Sequence, residues 1–219
     1  MLMNKNIEDQ LLTLSQAERE YVQRILKEFE EAGTSKSYSK LIADDYKEVP
    51  VDIETFVTDD NYLGRAWKDA SGNLKLYPFW LDILKQLFPD NVTISVNTFI
   101  ESGARGLGKS EIAAGIVFPY LMYRVMCMKD PLSFYKLKPT EKICFAFMNI
   151  KLALAEEIAV DKFQKTIQHS PWFMSQGKMT SRHNADYWVP PEPISVIIGS
   201  QSSDVIGKPI YACFFDEID

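Results

Sequence analysis

Between Val92 and the long apolar run that opens at Lys109, the chain reads Gly103-Ala104-Arg105-Gly106-Leu107-Gly108-Lys109-Ser110. No other stretch restricts the fold as tightly. Glycines let the backbone turn so that successive N–H groups converge on one point, and a helix starting just beyond adds the positive end of its dipole. A lysine and a hydroxyl residue at the next two positions complete the GxxxxGK[ST] pattern of a phosphate-binding loop. In that pattern Lys109 reaches the β- and γ-phosphates of a nucleotide, and Ser110 is a Mg²⁺ ligand. The context fits as well. Val92 to Ile100 is rich in β-branched residues and reads as a strand, while the residues from about Lys109 read as a long helix.

The rest of the chain supplies matching parts. Ile143 to Met148 is a short apolar run of the kind found in buried strands, Tyr211 to Phe215 reads as the last strand, and Ile194 to Ile198, with Trp188 and Val189, adds strand material. The stretch from about Leu152 to Gln168 reads as a helix. Strands alternating with helices predict an α/β fold, a mostly parallel sheet flanked by helices. Upstream, Ser15 to Glu18 has the spacing of a capping box, and Val22, Ile25, Leu26 and Phe29 form one apolar helical face before Gly33. Residues 46–60 read as a linker or a short helical turn, Asp69 to Asn73 as a turn, and Trp80 to Leu87 as an amphipathic helix closed by Pro89. The expected division is a small acidic, helical appendage over 1–60 and a P-loop domain over 61–219.

Charge and composition narrow the class. Residues 1–60 carry 14 acids and 7 bases, and the remainder carries 16 and 17, so the net charge of −6 is concentrated at the N-terminal end. No basic stripe marks a nucleic-acid footprint. The 3 cysteines, Cys127, Cys144 and Cys213, stand singly in apolar surroundings. With only 2 histidines, this excludes a disulfide scaffold or structural zinc site and fits a reducing compartment. No run approaches the roughly 20 apolar residues of a membrane span, and the first residues lack a signal peptide's apolar core, which excludes a membrane or secreted protein.

A second element lies 107 residues beyond Lys109, where the apolar run Tyr211 to Phe215 ends in Asp216-Glu217. A strand ending in two acids puts the first carboxylate at the sheet's carboxyl edge, beside a phosphate loop. There Asp216 would hold Mg²⁺, and Glu217 would orient and deprotonate an attacking water. Arg105 has two readings, a contact to the γ-phosphate or a solvated side chain. Tyr77 to Trp80 either borders an adenine or packs a helix on the sheet. Gly199 to Ser203 is either a polar loop near the γ-phosphate or an ordinary turn. Met122, Met126 and Met128 read as core filling, and His169 and His183 receive no role.

Taken together, Ser102 to Ser110 with its internal arginine and Phe214-Phe215-Asp216-Glu217-Ile218 resemble the ATPase domain of the large terminase subunit of tailed bacteriophages. Weaker similarity extends over roughly residues 45–219, through Val49 to Val51, Tyr62 to Gly64, Tyr77-Pro78, Ser170 to Phe173 and Gly199 to Gly207. The resemblance implies ATP and Mg²⁺ as cofactors and translocation of double-stranded DNA into a procapsid. It also implies a homo-oligomeric ring at a portal protein, a small terminase subunit as partner, and the cytoplasm of an infected bacterium. By it Gly103 to Ser110 would cradle the phosphates, with Arg105, Lys109 and Glu217 catalytic and Ser110 and Asp216 on the metal. Phe79-Trp80 stands where many relatives carry a glutamine for the base. The resemblance further implies later sheet strands and a nuclease domain past Asp219, so the expectation is a motor fragment lacking coupled packaging and DNA cleavage. A helicase-type motor and a non-hydrolysing nucleotide-binding module are the alternatives.

Overall fold

The computed structural model describes residues 45–92, 96, 98–101, 106–149, 160–182, 185–200 and 205–216, without the side chains of Arg182, Ala185 and Asp216. The helix expected between Ser15 and Gly33 lies outside these residues, as do 152–159 of the stretch expected to be helical up to Gln168.

The apolar run at Ile143 forms β1 (Ile143–Asn149), buried at every position. It is the middle strand of a parallel three-stranded sheet, flanked by β4 (Ile194–Gly199) and β5 (Ile210–Asp216). Phe145 lies opposite Val196 on one side and Ala212 on the other. Burial on both faces is what a continuous apolar strand with no polar alternation requires.

One face of β1 is covered by a helical rod of three joined pieces: α4 (Lys109–Ile112), a π-helical segment (Ala113–Val117) and α5 (Phe118–Met126). Phe118 packs on Phe147 and Phe145, with ring centroids 4.4 and 5.4 Å apart. Phe163 of α7 (Asp161–Gln168) joins them, 5.4 Å from Phe147. These four phenylalanines are fully buried or nearly so, each contributing roughly 1.5–3 kcal/mol of burial. The widened turn has a local cause. Pro119 has no N–H, and its ring would collide with the Gly115 carbonyl in a regular α-helix. The Phe118 N–H reaches back five residues to Ala113 O instead.

The segment before the loop is built into the same body. The compact unit begins at Asp45, so the expected division at residue 60 falls inside it. Lys47 N–H donates to Cys127 O, and Lys129 N–H to Asp45 O, both at 2.9 Å. Val51 is held by two tyrosines of α5: Tyr120 donates to its carbonyl and its N–H donates to Tyr123 Oη, each at 2.9 Å. Of the two readings of residues 46–60, the short helical one holds: they contain α1 (Ile53–Thr58), whose Ile53, Phe56 and Val57 are buried. Asp52 caps it through the Thr55 N–H. Gly64 opens α2 (Gly64–Trp67) and sits where any Cβ would fall 2.6 Å from Thr58 O. The turn at Asp69 forms as expected, its carboxylate accepting from Ser71 and Asn73 N–H. Trp80 and Leu84 form the buried side of α3 (Pro78–Leu87).

Two elements depart from expectation. The stretch from Val92 to Ile100 is in no strand at its described residues, and Val96, Phe99 and Ile100 are exposed. A β-branched run shows only that residues suit a pleated, half-buried surface; the ladder itself needs a neighbouring strand. Trp188 and Val189 do lie in a strand, β3 (Ala185–Val189), but it pairs in an antiparallel hairpin with β2 (Lys178–Arg182), away from the parallel sheet. Short helices α6 (Pro131–Phe134) and α8 (Pro171–Gln176) are N-capped by Asp130 and Ser170.

Candidate functional site

The site follows from the rod's direction. Phe118 sits against Phe145 and Phe147, toward the carboxyl end of β1. Six residues on, Arg124 acts electrostatically on Tyr211, near the amino end of β5. The rod therefore descends antiparallel to the strands, and its first turn, with Lys109 and Ser110, lies toward their carboxyl edge. Met148 is level with Gly199 and Asn149 with Asp216, so Gly199, Asn149 and Asp216 finish along that edge. This is where ligands bind in parallel α/β sheets.

The loop itself has the backbone its glycines permit. Gly106 and Gly108 take φ of +85° and +81°, in the left-handed region. A methyl on Gly106 would meet nothing within 4 Å, so it is the dihedral that calls for glycine there. Ile112 N–H donates to Gly108 O at 2.9 Å, starting the helix. Behind the loop, the Trp80 indole N–H donates to Leu107 O at 2.8 Å. Trp80 is 6 % exposed. The tryptophan is thus buried with its indole on the loop, while Tyr77 and Phe79 are exposed and stack on each other at 5.8 Å.

Glu101, two residues before the loop glycines, is a group that motif reading passed over. Its Oε1 is buried and finds no hydrogen-bond partner among the described residues. Burial pushes its carboxyl up to about 7, against the opposing pull of the Lys109 ammonium. The sequence signal was its place directly ahead of Ser102-Gly103. Glu111, in the rod's first turn, pairs with Lys162 of α7 at 3.4 Å.

Gly106, Leu107, Gly108, Lys109 and Ser110 thus form one turn leading into the rod, and the Asp216 backbone closes β5 at the same edge. Gly103, Ala104, Arg105 and Glu217, with the Asp216 side chain, lie outside the described residues, as do 201–203 of the second polar loop. His169 bonds its own helix through Lys165 O and is not part of the site. Met122, Met126 and Met128 are buried, as core filling requires. No helix among the described residues is long and apolar enough to cross a membrane.

A search of curated proteins and one of solved structures find no match. A family model matches residues 13–219, nearly the whole chain. On that match the chain belongs to the family described as the N-terminal P-loop domain of the uncharacterized protein MJ0330.

Proposed function

We propose that the chain binds a nucleoside triphosphate, ATP, with Mg²⁺ at Gly103 to Ser110 and hydrolyses it, as the motor part of a machine that moves double-stranded DNA. The observation that carries the nucleotide reading is the pair of left-handed glycines on either side of Leu107, opening directly onto Lys109 and Ser110 at the start of the rod. Such a turn presents backbone N–H groups to an anion where a helix begins. Lys109 would neutralise charge on the β- and γ-phosphates. Ser110 and Asp216 would hold Mg²⁺, whose chemistry is to offset charge on the phosphate oxygens. Mg²⁺ takes one or two protein ligands and completes its shell with phosphate and water, which is the number a hydroxyl and one carboxylate would supply. Glu217 would accept the proton of the attacking water, and Arg105 would face the γ-phosphate.

The DNA-translocating reading rests on the terminase-like residues, Arg105 within the loop and Asp216-Glu217 after an apolar strand. With it go a homo-oligomeric ring, a portal protein and a small terminase subunit as partners, and the cytoplasm of an infected bacterium as the place of action.

The test compares ATP binding and Mg²⁺-dependent turnover for the unsubstituted chain, Lys109→Ala and Glu217→Gln, with and without duplex DNA. Lys109→Ala should abolish binding, and Glu217→Gln should keep binding and lose turnover. Binding indifferent to Lys109→Ala would remove the phosphate-loop assignment. Binding without turnover in the unsubstituted chain would make it a nucleotide-binding module, and stimulation by single strands alone would favour a helicase-type motor.

A further inference from the structure

A phosphate loop works only if its peptide N–H groups face the anion, and in a glycine-rich turn each peptide plane is free to flip. At Leu107–Gly108 this freedom meets a constraint from a distant element. The Trp80 indole N–H donates to Leu107 O at 2.8 Å across 27 residues of sequence. A trans peptide is planar, with its C=O and N–H pointing in opposite directions. Fixing the Leu107 carbonyl on Trp80 therefore turns the Gly108 N–H away from α3. Trp80 cannot easily follow a flipped carbonyl, since it is 6 % exposed and shares the buried side of α3 with fully buried Leu84. Leu107 itself is 41 % exposed and so lacks packing to hold its orientation.

We infer that Trp80 is a positioning residue of the phosphate loop: its indole N–H sets the Leu107–Gly108 peptide so that the Gly108 N–H faces the bound phosphates. This rests on the nucleotide reading above and adds a residue outside the loop motif. The role belongs to the N–H and not to the ring's bulk, which makes it separable from packing. Losing one neutral hydrogen bond should weaken Mg²⁺·ATP binding by about threefold to tenfold.

The experiment replaces Trp80 in the 219-residue chain with 3-benzothienylalanine, which keeps the ring's shape and lacks the N–H, and separately with 5-fluorotryptophan, which keeps both. Affinity for ATP with Mg²⁺ is measured by calorimetry, and the Gly108 amide is followed by NMR. The benzothienyl variant should bind several-fold more weakly with its melting temperature little changed, and its Gly108 amide should exchange faster. 5-Fluorotryptophan should restore both. Equal ATP affinity in the benzothienyl variant and the unsubstituted chain would overturn the inference alone. Equal weakening in both analogues would also overturn it, since the ring's packing would then be the cause. Failure of the unsubstituted chain to bind ATP would bring down the nucleotide reading, and this inference with it.

Discussion

Replacing Gly108 by alanine isolates the backbone geometry on which the phosphate loop depends. Gly108 stands at φ +81° and ψ 15°. A methyl there would meet only Trp80 Nε1, at 3.9 Å, an ordinary van der Waals distance. Packing therefore adds nothing, and the penalty is that of holding an L-residue in the left-handed region, about 1–2 kcal/mol. For a unit of this size each kcal/mol lowers the melting temperature by roughly 2–4 °C, so a fall of about 2–8 °C is expected. If the loop escapes the strain by leaving the left-handed region, the stability loss shrinks and reappears as weaker ATP binding, by up to about 30-fold for the same energy. Calorimetric melts and ATP titrations read the two parts separately. A semisynthetic chain with D-alanine at 108 is the control, since a D-residue suits positive φ. Gly108→Ala with unchanged melting and unchanged ATP affinity would refute the reasoning, and so would D-alanine as harmful as the L-form.

Other substitutions test the scaffold around the site. Gly177→Ala should destabilise by about 3 kcal/mol, because its Cβ would fall 2.2–2.6 Å from the buried Trp188 ring, which is tethered by its N–H to Phe173 O; thermal melting checks this. Gln164→Leu should cost about 2–4 kcal/mol in chemical denaturation, since the Gln164 amide pairs with both the N–H and the carbonyl of Trp188 and leucine would orphan them. Glu101 has a carboxyl raised in the folded state, so its burden on stability is absent below about pH 4.5, grows as pH rises and is complete above about 7. Glu101→Gln should therefore be more stable than the parent at pH 8, by about 1–2 kcal/mol after allowing for solvent screening of a half-buried group, and equal to it at pH 4. Denaturation curves at the two pH values decide the matter.

What the sequence made legible were the parts whose signals are local. The loop motif announced its two left-handed glycines and the helix behind them. The unbroken apolar runs at Ile143 and Tyr211 announced strands of a parallel sheet, the first buried throughout and the second with Cys213 and Phe215 exposed. What escaped depends on partners far along the chain. The residues of β2, Lys178 to Arg182, include a single apolar side chain, Met179, so no periodicity marks the strand; it exists because Ser181 to Lys178 pair with Asp186 to Val189. The β-branched run before the loop suggested a strand that its described residues do not form. Residues 46–60 left open a linker or a short helical turn, and the helix is what forms, with Tyr46, Ile53, Phe56 and Val57 buried in the core. Trp80 read as one of several aromatics, and no pattern in one dimension joins its indole to a carbonyl 27 residues away. For the site residues, Lys109 and Ser110 were readable from the motif, whereas Glu101 needed its surroundings to stand out.

The π-helical segment Ala113–Val117 leaves the rod one residue longer than regular α-helical winding between its two ends would need. Deleting a single position there, Ala113 for example, together with Pro119→Ala to remove the ring that holds the turn open, would let the spiral close up while Lys109 ahead of it and Phe118 behind it kept their bearings. The same excision within residues 118–122 would swing every later side chain by about 100° and drag Tyr123 off the Val51 amide. The fold thus carries a spare notch between its anion-facing tip and its oily shaft, a place where chain length can change without either end noticing.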